Sequence, residues 1–220
     1  MRTKFLLLLT LLLCSALMTV TSAQPPAEAQ WWNDRAFYQL FVRSFYDSDG
    51  DGIGDFQGVI QQLDYLNDGD PATDTDLGVT GLWLMPIHPS PSYHGYDVTD
   101  YYGVNAEYGT LDDFKELVAA AQARGMVVMI DWVLNHTSSQ HPWFIDSQQA
   151  GSEYDDWYVW RAENPGYQGP ENQTVWYKRG DRYYYGIFWS EMPDLNYRNP
   201  DVTAEMYAVT RFWLDEVGID

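Results

Sequence analysis

Asp131, Asn135 and His136 stand at the end of an apolar run, in the stretch MVVMIDWVLNHT from Met126 to Thr137. They form the pattern D-x-x-x-N-H, with the polar residues gathered at the C-terminal end of the run. The unbroken apolar run before them suits a parallel strand buried on both faces. In parallel α/β folds the C-terminal ends of such strands are where ligands bind. The plainer alternatives are a structural carboxylate capping the strand for Asp131 and an internally bonded imidazole for His136. A second group is DSDGDGIGD, Asp47–Asp55. Asp47, Asp49, Asp51 and Asp55 alternate with small residues, and the carbonyl of Ile53 falls where a backbone ligand belongs. Hard oxygens at a spacing of two in a glycine-bent loop suit Ca²⁺. Gly58 occupies the place of an EF-hand's bidentate glutamate, and the preceding segment reads as a strand, so the loop is EF-hand-like but no EF-hand. Close carboxylates repel one another unless a cation sits among them. The alternative is a solvated acidic turn.

The elements that must position these groups follow from periodicity. Ala36–Phe45 is the first strand candidate, rich in aromatic and β-branched residues. Phe56, Val59, Ile60, Leu63 and Leu66 have helical spacing. Val79–Ile87 reads as a second buried strand, followed by the block His94–Tyr102, HGYDVTDYY. Thr110–Arg124 is the clearest helix, with Thr110 and Asp113 as a capping box and Gly125 just past its end. Met126–Trp132 is then the third strand. Strand–helix–strand alternation implies right-handed βαβ units and a parallel sheet. From Ser138 to Arg198 periodicity is lost and Trp, Tyr, Gly, Asn and Pro dominate. So long a loop is suspect in a compact domain, and the stretch reads as a small subdomain with strand candidates at Thr174–Tyr177 and Arg182–Ile187. Asn199-Pro200-Asp201 starts another helix, whose inner stripe is Val202, Met206, Val209, Trp213 and Val217. Gly218-Ile219-Asp220 reads as the beginning of a fourth strand.

Composition narrows the class. With 32 acidic and 12 basic residues the net charge is −20, which disfavours nucleic acid and anionic membrane surfaces as partners. Residues 1–23 read as a secretory signal peptide: Arg2 and Lys4, an apolar region over Phe5–Val20, and the small-residue site Thr21-Ser22-Ala23. The apolar run is shorter than the roughly 20 residues of a spanning helix. The expectation is therefore a secreted protein, extracellular or periplasmic, with no stable membrane association after cleavage. The single cysteine, Cys14, lies inside the signal. A mature chain without disulfides has use for another staple, and a bound metal is one.

Four blocks in order carry a resemblance to the α-amylase family of glycoside hydrolases: the Asp-rich loop, HGYDVTDYY, DWVLNH, and MPDLN at Met192–Asn196. The resemblance covers about Ala36–Asp220. It implies a (β/α)₈ TIM barrel with only the first three β/α units and the start of strand four present, and a small irregular β-containing domain inserted after strand three. The domains so expected are a signal (1–23), a leader (24–35), the first part of the barrel (36–137), the insert (138–198) and a barrel continuation (199–220). By resemblance Tyr96 stacks on the reacting sugar, Asp97 positions it, His136 donates to its hydroxyls, and Asp131 holds neighbouring groups. Asn135 is a further candidate, lending its carbonyl to a second Ca²⁺. The family's nucleophilic Asp and acid Glu come from strands four and five, so neither is expected within these 220 residues, and the chain alone is expected to be inactive. The implied activity is retaining hydrolysis of starch or maltooligosaccharides. The same resemblance admits a neopullulanase, an oligo-1,6-glucosidase, a glucosyltransferase or a non-catalytic homologue. A Ca²⁺-dependent adhesion module accounts for the Asp-rich loop alone and leaves the other blocks unexplained.

Overall fold

The computed structural model describes residues 30–220. The signal expected over 1–23 and the first half of the leader expected over 24–35 lie outside the described residues. The chain divides into two units, Met1–Asp34 and Arg35–Asp220. In the first, the described residues form a turn in which Trp31 and Trp32 meet edge to face at 5.4 Å. Arg35, grouped with the leader in the sequence, belongs to the second unit and donates to the carbonyls of Thr80 and Gly125.

Three parallel strands lie in the order β1 (Phe37–Leu40), β2 (Gly81–Leu84), β3 (Val127–Ile130). Leu40, Leu84 and Ile130 stand in register, as do Gln39, Trp83 and Met129 one residue earlier. The strands are shorter than the apolar runs. Past β1 the chain turns into a short helix, α1 (Val42–Phe45). Past β2 and β3 the ladder persists only as single bonds, Met85 N–H to Leu40 O at 2.9 Å and Asp131 N–H to Leu84 O at 2.8 Å. β2 also departs from burial on both faces, since Trp83 is 41% exposed on the side it shares with Gln39.

The single helix expected over Phe56–Leu66 is two, α2 (Phe56–Gln61) and α3 (Leu63–Leu66), because Gln62 leaves helical geometry at φ −105°, ψ 5°. Its apolar stripe is buried on both sides of the break, at Phe56, Val59, Leu63 and Leu66. Gly58 lets α2 lie against the segment after α1. A Cβ there would stand 2.0 Å from the carbonyl oxygen of Tyr46, and one on Gly54 would stand 2.1 Å from that of Val42. These obstacles are backbone atoms, so the elements themselves must separate. Gly58→Ala should therefore destabilise by about 2–3 kcal/mol even after the gain in helix propensity. A melting curve should show this as a fall of about 5–10 °C, and an unchanged midpoint would count against the packing described.

Helix α4 (Leu111–Ala123) has the full capping box: Asp113 N–H donates to Thr110 Oγ1 and Thr110 N–H to Asp113 Oδ2. Gly125 follows at φ +79°, the left-handed geometry that ends helices at least strain in glycine. α4 buries Phe114, Leu117, Val118 and Ala121, and Phe114 meets Phe56 of α2 at 5.1 Å.

The aromatic-rich stretch after β3 contains helix α5 (Pro142–Ser147) and an antiparallel sheet of β4 (Trp160–Arg161), β5 (Trp176–Arg179) and β6 (Arg182–Tyr185), in the order β4-β6-β5. Most of its rings are packing. Phe144 of α5 stacks on Trp160 at 5.6 Å and meets Tyr184 edge-on at 4.9 Å. The Arg182 guanidinium lies over Trp160 at 4.3 Å. Helix α6 (Pro200–Arg211) is capped by Asn199 and runs on as a π-helical turn over Phe212–Val217, ended by Gly218 at φ +87°. Its expected stripe, Val202 through Val217, is buried, and Trp213 donates to the carbonyl of Tyr101 at 2.7 Å. At the expected fourth strand, Asp220 N–H bonds to Val128 O at 3.0 Å, beside β3, but residues 218–220 form no strand.

Candidate active site

Beyond the C-terminal ends of β1–β3 opens a cleft of about 450 Å³, lined in part by Gln39, Trp83, Tyr96, Asp131 and Asn135. Asp131 follows β3 directly, and two donors fix its carboxylate. The Tyr96 hydroxyl donates to Oδ2 at 2.6 Å, and the Trp83 indole N–H donates to Oδ1 at 2.5 Å. Burial first, and then the bond to Asp131, push the Tyr96 phenol up to about 12. At neutral pH it is a neutral donor with a ring held at a fixed angle.

His136 lies behind this pair, nearly buried. Its Nε2 is 3.1 Å from the Tyr96 carbonyl and its Nδ1 is 3.4 Å from the Asn135 amide nitrogen. Together these contacts assign the proton to Nε2, which donates to Tyr96. Burial holds the imidazole below its ordinary value, against the raising influence of that bond and of the nearby Asp97 charge. Asp97 is 2% exposed, and its Oδ1 accepts from the hydroxyls of Ser90 (2.7 Å) and Ser92. Tyr96, Asp131 and His136 are thus joined in one hydrogen-bonded group, with Asp97 close behind.

Asn135 turns toward the inserted sheet. Burial raises the Asp194 carboxyl, against the Ile187 N–H that it accepts from at 2.9 Å and the lesser influence of the nearby Asn135 side chain. The backbone pairs His136 with Asp194, and Leu195 N–H donates to Asn135 O at 2.9 Å. The backbone carbonyl of Asn135 is thus bonded by Leu195 of MPDLN. Phe188, 63% exposed, sets its ring 5.3 Å from His136.

In the Asp-rich loop, carboxylate oxygens of Asp47, Asp49 and Asp55 lie within 4.8 Å of one another. Asp51 is outside this group, with Oδ1 accepting from Ile53 N–H at 2.7 Å. Asp47 accepts from Gly50 N–H (2.7 Å) and Gly52 N–H (2.8 Å), and the Gly52 and Gly50 amides hold its carboxyl below the usual range. Asp55 caps α2 through Gly58 N–H at 2.6 Å. An all-oxygen, hard donor set of this kind fits Ca²⁺.

Sequence reasoning did not find Trp83, Ser90, Ser92 or Phe188. Trp83 sits in an apolar strand and reads locally as core. Its register with Gln39 and Met129 is a long-range fact. Phe188 is one ring among many in the insert.

The family model for the alpha-amylase catalytic domain matches residues 39–220. The chain belongs to the alpha-amylase family. Alpha-amylase 3 of Dictyoglomus thermophilum is 44% identical over 221 residues, covering 100% of this chain and 42% of that protein. An oligo-1,6-glucosidase of Parageobacillus thermoglucosidasius is 40% identical, covering 88% of this chain and 34% of its own length. Among solved structures, the alpha-amylase from H. orenii superposes with a TM-score of 0.80 at 54% identity, covering 84% of this chain and 38% of that one. An isomaltulose synthase mutant from Erwinia rhapontici, solved with its natural substrate sucrose, superposes at 0.79 with 39% identity, covering 88% and 35%. The chain thus spans about two-fifths or less of each of these alpha-amylase-family proteins.

Proposed function

We propose that this chain is the sugar-holding part of a secreted, retaining α-glucan hydrolase of the α-amylase type, acting on starch or maltooligosaccharides. The observation that carries the proposal is the Tyr96–Asp131 hydrogen bond beside His136 at the C-terminal ends of parallel strands, within a chain matched to the alpha-amylase family over residues 39–220. In this reading residues 36–137 and 199–220 belong to a (β/α)₈ barrel and 138–198 to a domain inserted after its third strand. Retaining cleavage needs two carboxyls about 5–5.5 Å apart. The relatives are more than twice as long as this chain, and the nucleophile and acid/base are assigned to the part of the enzyme they carry beyond it.

The work left to this chain is binding and orientation. The Tyr96 ring offers a flat face to a pyranose, and Phe188 offers a second ring beside His136. Asp97, backed by Ser90 and Ser92, and His136 fix the depth to which the sugar enters. Burial keeps His136 neutral at pH 7, so it offers directional hydrogen bonding without charge. For it to reach a sugar hydroxyl, its Nε2–H must leave the Tyr96 carbonyl or share with it. Asp47, Asp49 and Asp55 would hold Ca²⁺, which would neutralise their repulsion and pin the loop to α2.

The activity is tested on the complete enzyme by following maltotriose cleavage with proton NMR. Initial release of the α-anomer is expected, and initial β-anomer or no cleavage would refute the reading. Parallel assays on isomaltose and sucrose separate an α-amylase from an oligo-1,6-glucosidase or a glucosyltransferase. The metal assignment has its own test. Adding Ca²⁺ at about 100 times its dissociation constant should contribute about 2.7 kcal/mol. That raises the melting midpoint by about 5–10 °C over the chelated protein, and Asp47→Ala should remove the difference. Identical melting with and without chelator would refute it.

A further inference from the structure

Asp131 receives one hydrogen bond from the tyrosine beneath the proposed sugar ring and one from a tryptophan that no motif names. Trp83 is on β2, in register with Gln39 and Met129, and Asp131 stands two residues beyond Met129. The indole is thus on the cleft side of the sheet, level with the strand ends, and its N–H reaches across the β2–β3 gap to Oδ1 at 2.5 Å. The Tyr96 hydroxyl takes the other oxygen, Oδ2, at 2.6 Å. With one oxygen occupied by Trp83, rotation of the carboxylate is blocked and Oδ2 is presented to Tyr96 in a single direction. A carboxylate free to turn would let the Tyr96 side chain swing with it.

We propose that Trp83 is a positioning residue for sugar binding, acting through Asp131 to fix the Tyr96 ring. This rests on the glucan-holding reading of the cleft. It makes Trp83, Asp131 and Tyr96 a single unit in which either donor is of little use once the carboxylate is gone. A tryptophan that only packed, or only touched sugar with its own face, would act independently of Asp131.

The test is a mutant cycle in the full chain, with maltotriose as the probe. Trp83→Phe keeps the ring and removes the N–H. It should weaken maltotriose binding about tenfold, because only about one molecule in ten would then hold the Tyr96 ring in the binding orientation. In an Asp131→Asn background the same change should weaken binding less than about twofold. Trp83→Tyr, which keeps a polar tip on the ring, should recover part of the loss. In ¹⁵N-labelled protein, the indole resonance that disappears in Trp83→Phe should move upfield in Asp131→Asn, because an amide accepts less strongly than a carboxylate. An equal effect of Trp83→Phe in both backgrounds, or an indole resonance indifferent to Asp131→Asn, would overturn the proposal. If the wild type does not bind maltotriose, the sugar reading fails, while the indole resonance still decides whether Trp83 acts on Asp131.

Discussion

Tyr96→Ala in the complete enzyme should lower kcat/KM on maltotriose by about three orders of magnitude, while Tyr96→Phe should lower it only about tenfold. The alanine variant loses the ring face on which a sugar would stack, worth about 2–3 kcal/mol of buried apolar surface. It also leaves Asp131 Oδ2 without its donor. The phenylalanine variant keeps the face and loses the bond alone, about 1.5 kcal/mol. The ratio of the two effects is the informative quantity, since it separates a stacking platform from a tyrosine kept only for its hydroxyl. Equal losses in the two variants would point to the hydroxyl. No loss in either would remove Tyr96 from the site. Melting midpoints of both proteins show whether the fold is preserved.

A second large effect is expected in mild acid. His88 is fully buried, with Nδ1 bonded to the Gly103 carbonyl at 3.1 Å and aromatic neighbours in Tyr101, Trp132 and Trp213. Burial lowers its pKa from 6.5 to about 4, against the weaker raising influence of the Gly103 bond and Asp100. His141, which caps α5 by accepting from Trp143 N–H, is lowered by burial from 6.5 to about 3. A depressed folded-state value means that the unfolded chain takes up these protons first. The stabilisation is whole above pH 6.5 and is lost as pH falls toward 4. Each histidine contributes on the order of 3 kcal/mol across that window, so together they reach the scale of a domain's whole stability. The carboxylates held low, Asp47 and Asp113 among them, start from 3.8 and act only below it. Denaturant unfolding at pH 7, 5.5 and 4.5 should therefore show a steep fall, made shallower by His88→Gln. A flat profile from pH 6.5 to 4.5 would mean that these imidazoles have access to water.

What the sequence reveals about this fold is what local periodicity encodes. The strands expected at Val79–Ile87 and Met126–Trp132 announce themselves by the apolar stretches Leu82–Met85 and Met126–Ile130, and α4 by its Thr110–Asp113 box and Gly125. The α6 stripe continues to Val217 because intervals of three and four residues do not distinguish an α-helix from the π-helical turn that follows it. The break at Gln62 is invisible for a similar reason, since Leu63 and Leu66 stay on the apolar face across it. The two-residue strand β4 has too little sequence to show a period, and it exists only as the edge partner of β6.

At the site, the motifs point to Asp131, His136, Tyr96 and Asp97, but the bonds joining them cross long separations. Asp131 meets Trp83 and Tyr96, 48 and 35 residues away. No pattern of neighbours records that contact. The Asp-rich loop shows the same division. Alternating aspartates suggest four equivalent ligands, yet the turn directs Asp51 back onto Ile53 N–H and gathers only Asp47, Asp49 and Asp55. The turn itself is set by Gly50 and Gly52, whose φ values of +85° and +93° favour glycine.

The most direct measurement of the central claim is a crystal structure of the complete enzyme soaked with maltotriose, with the nucleophile replaced to prevent turnover. A glucose ring should stack on Tyr96, within hydrogen-bonding reach of Asp97 and His136, with the Trp83–Asp131–Tyr96 bonds intact. A sugar bound elsewhere, or no sugar over Tyr96 at saturating concentration, would contradict it.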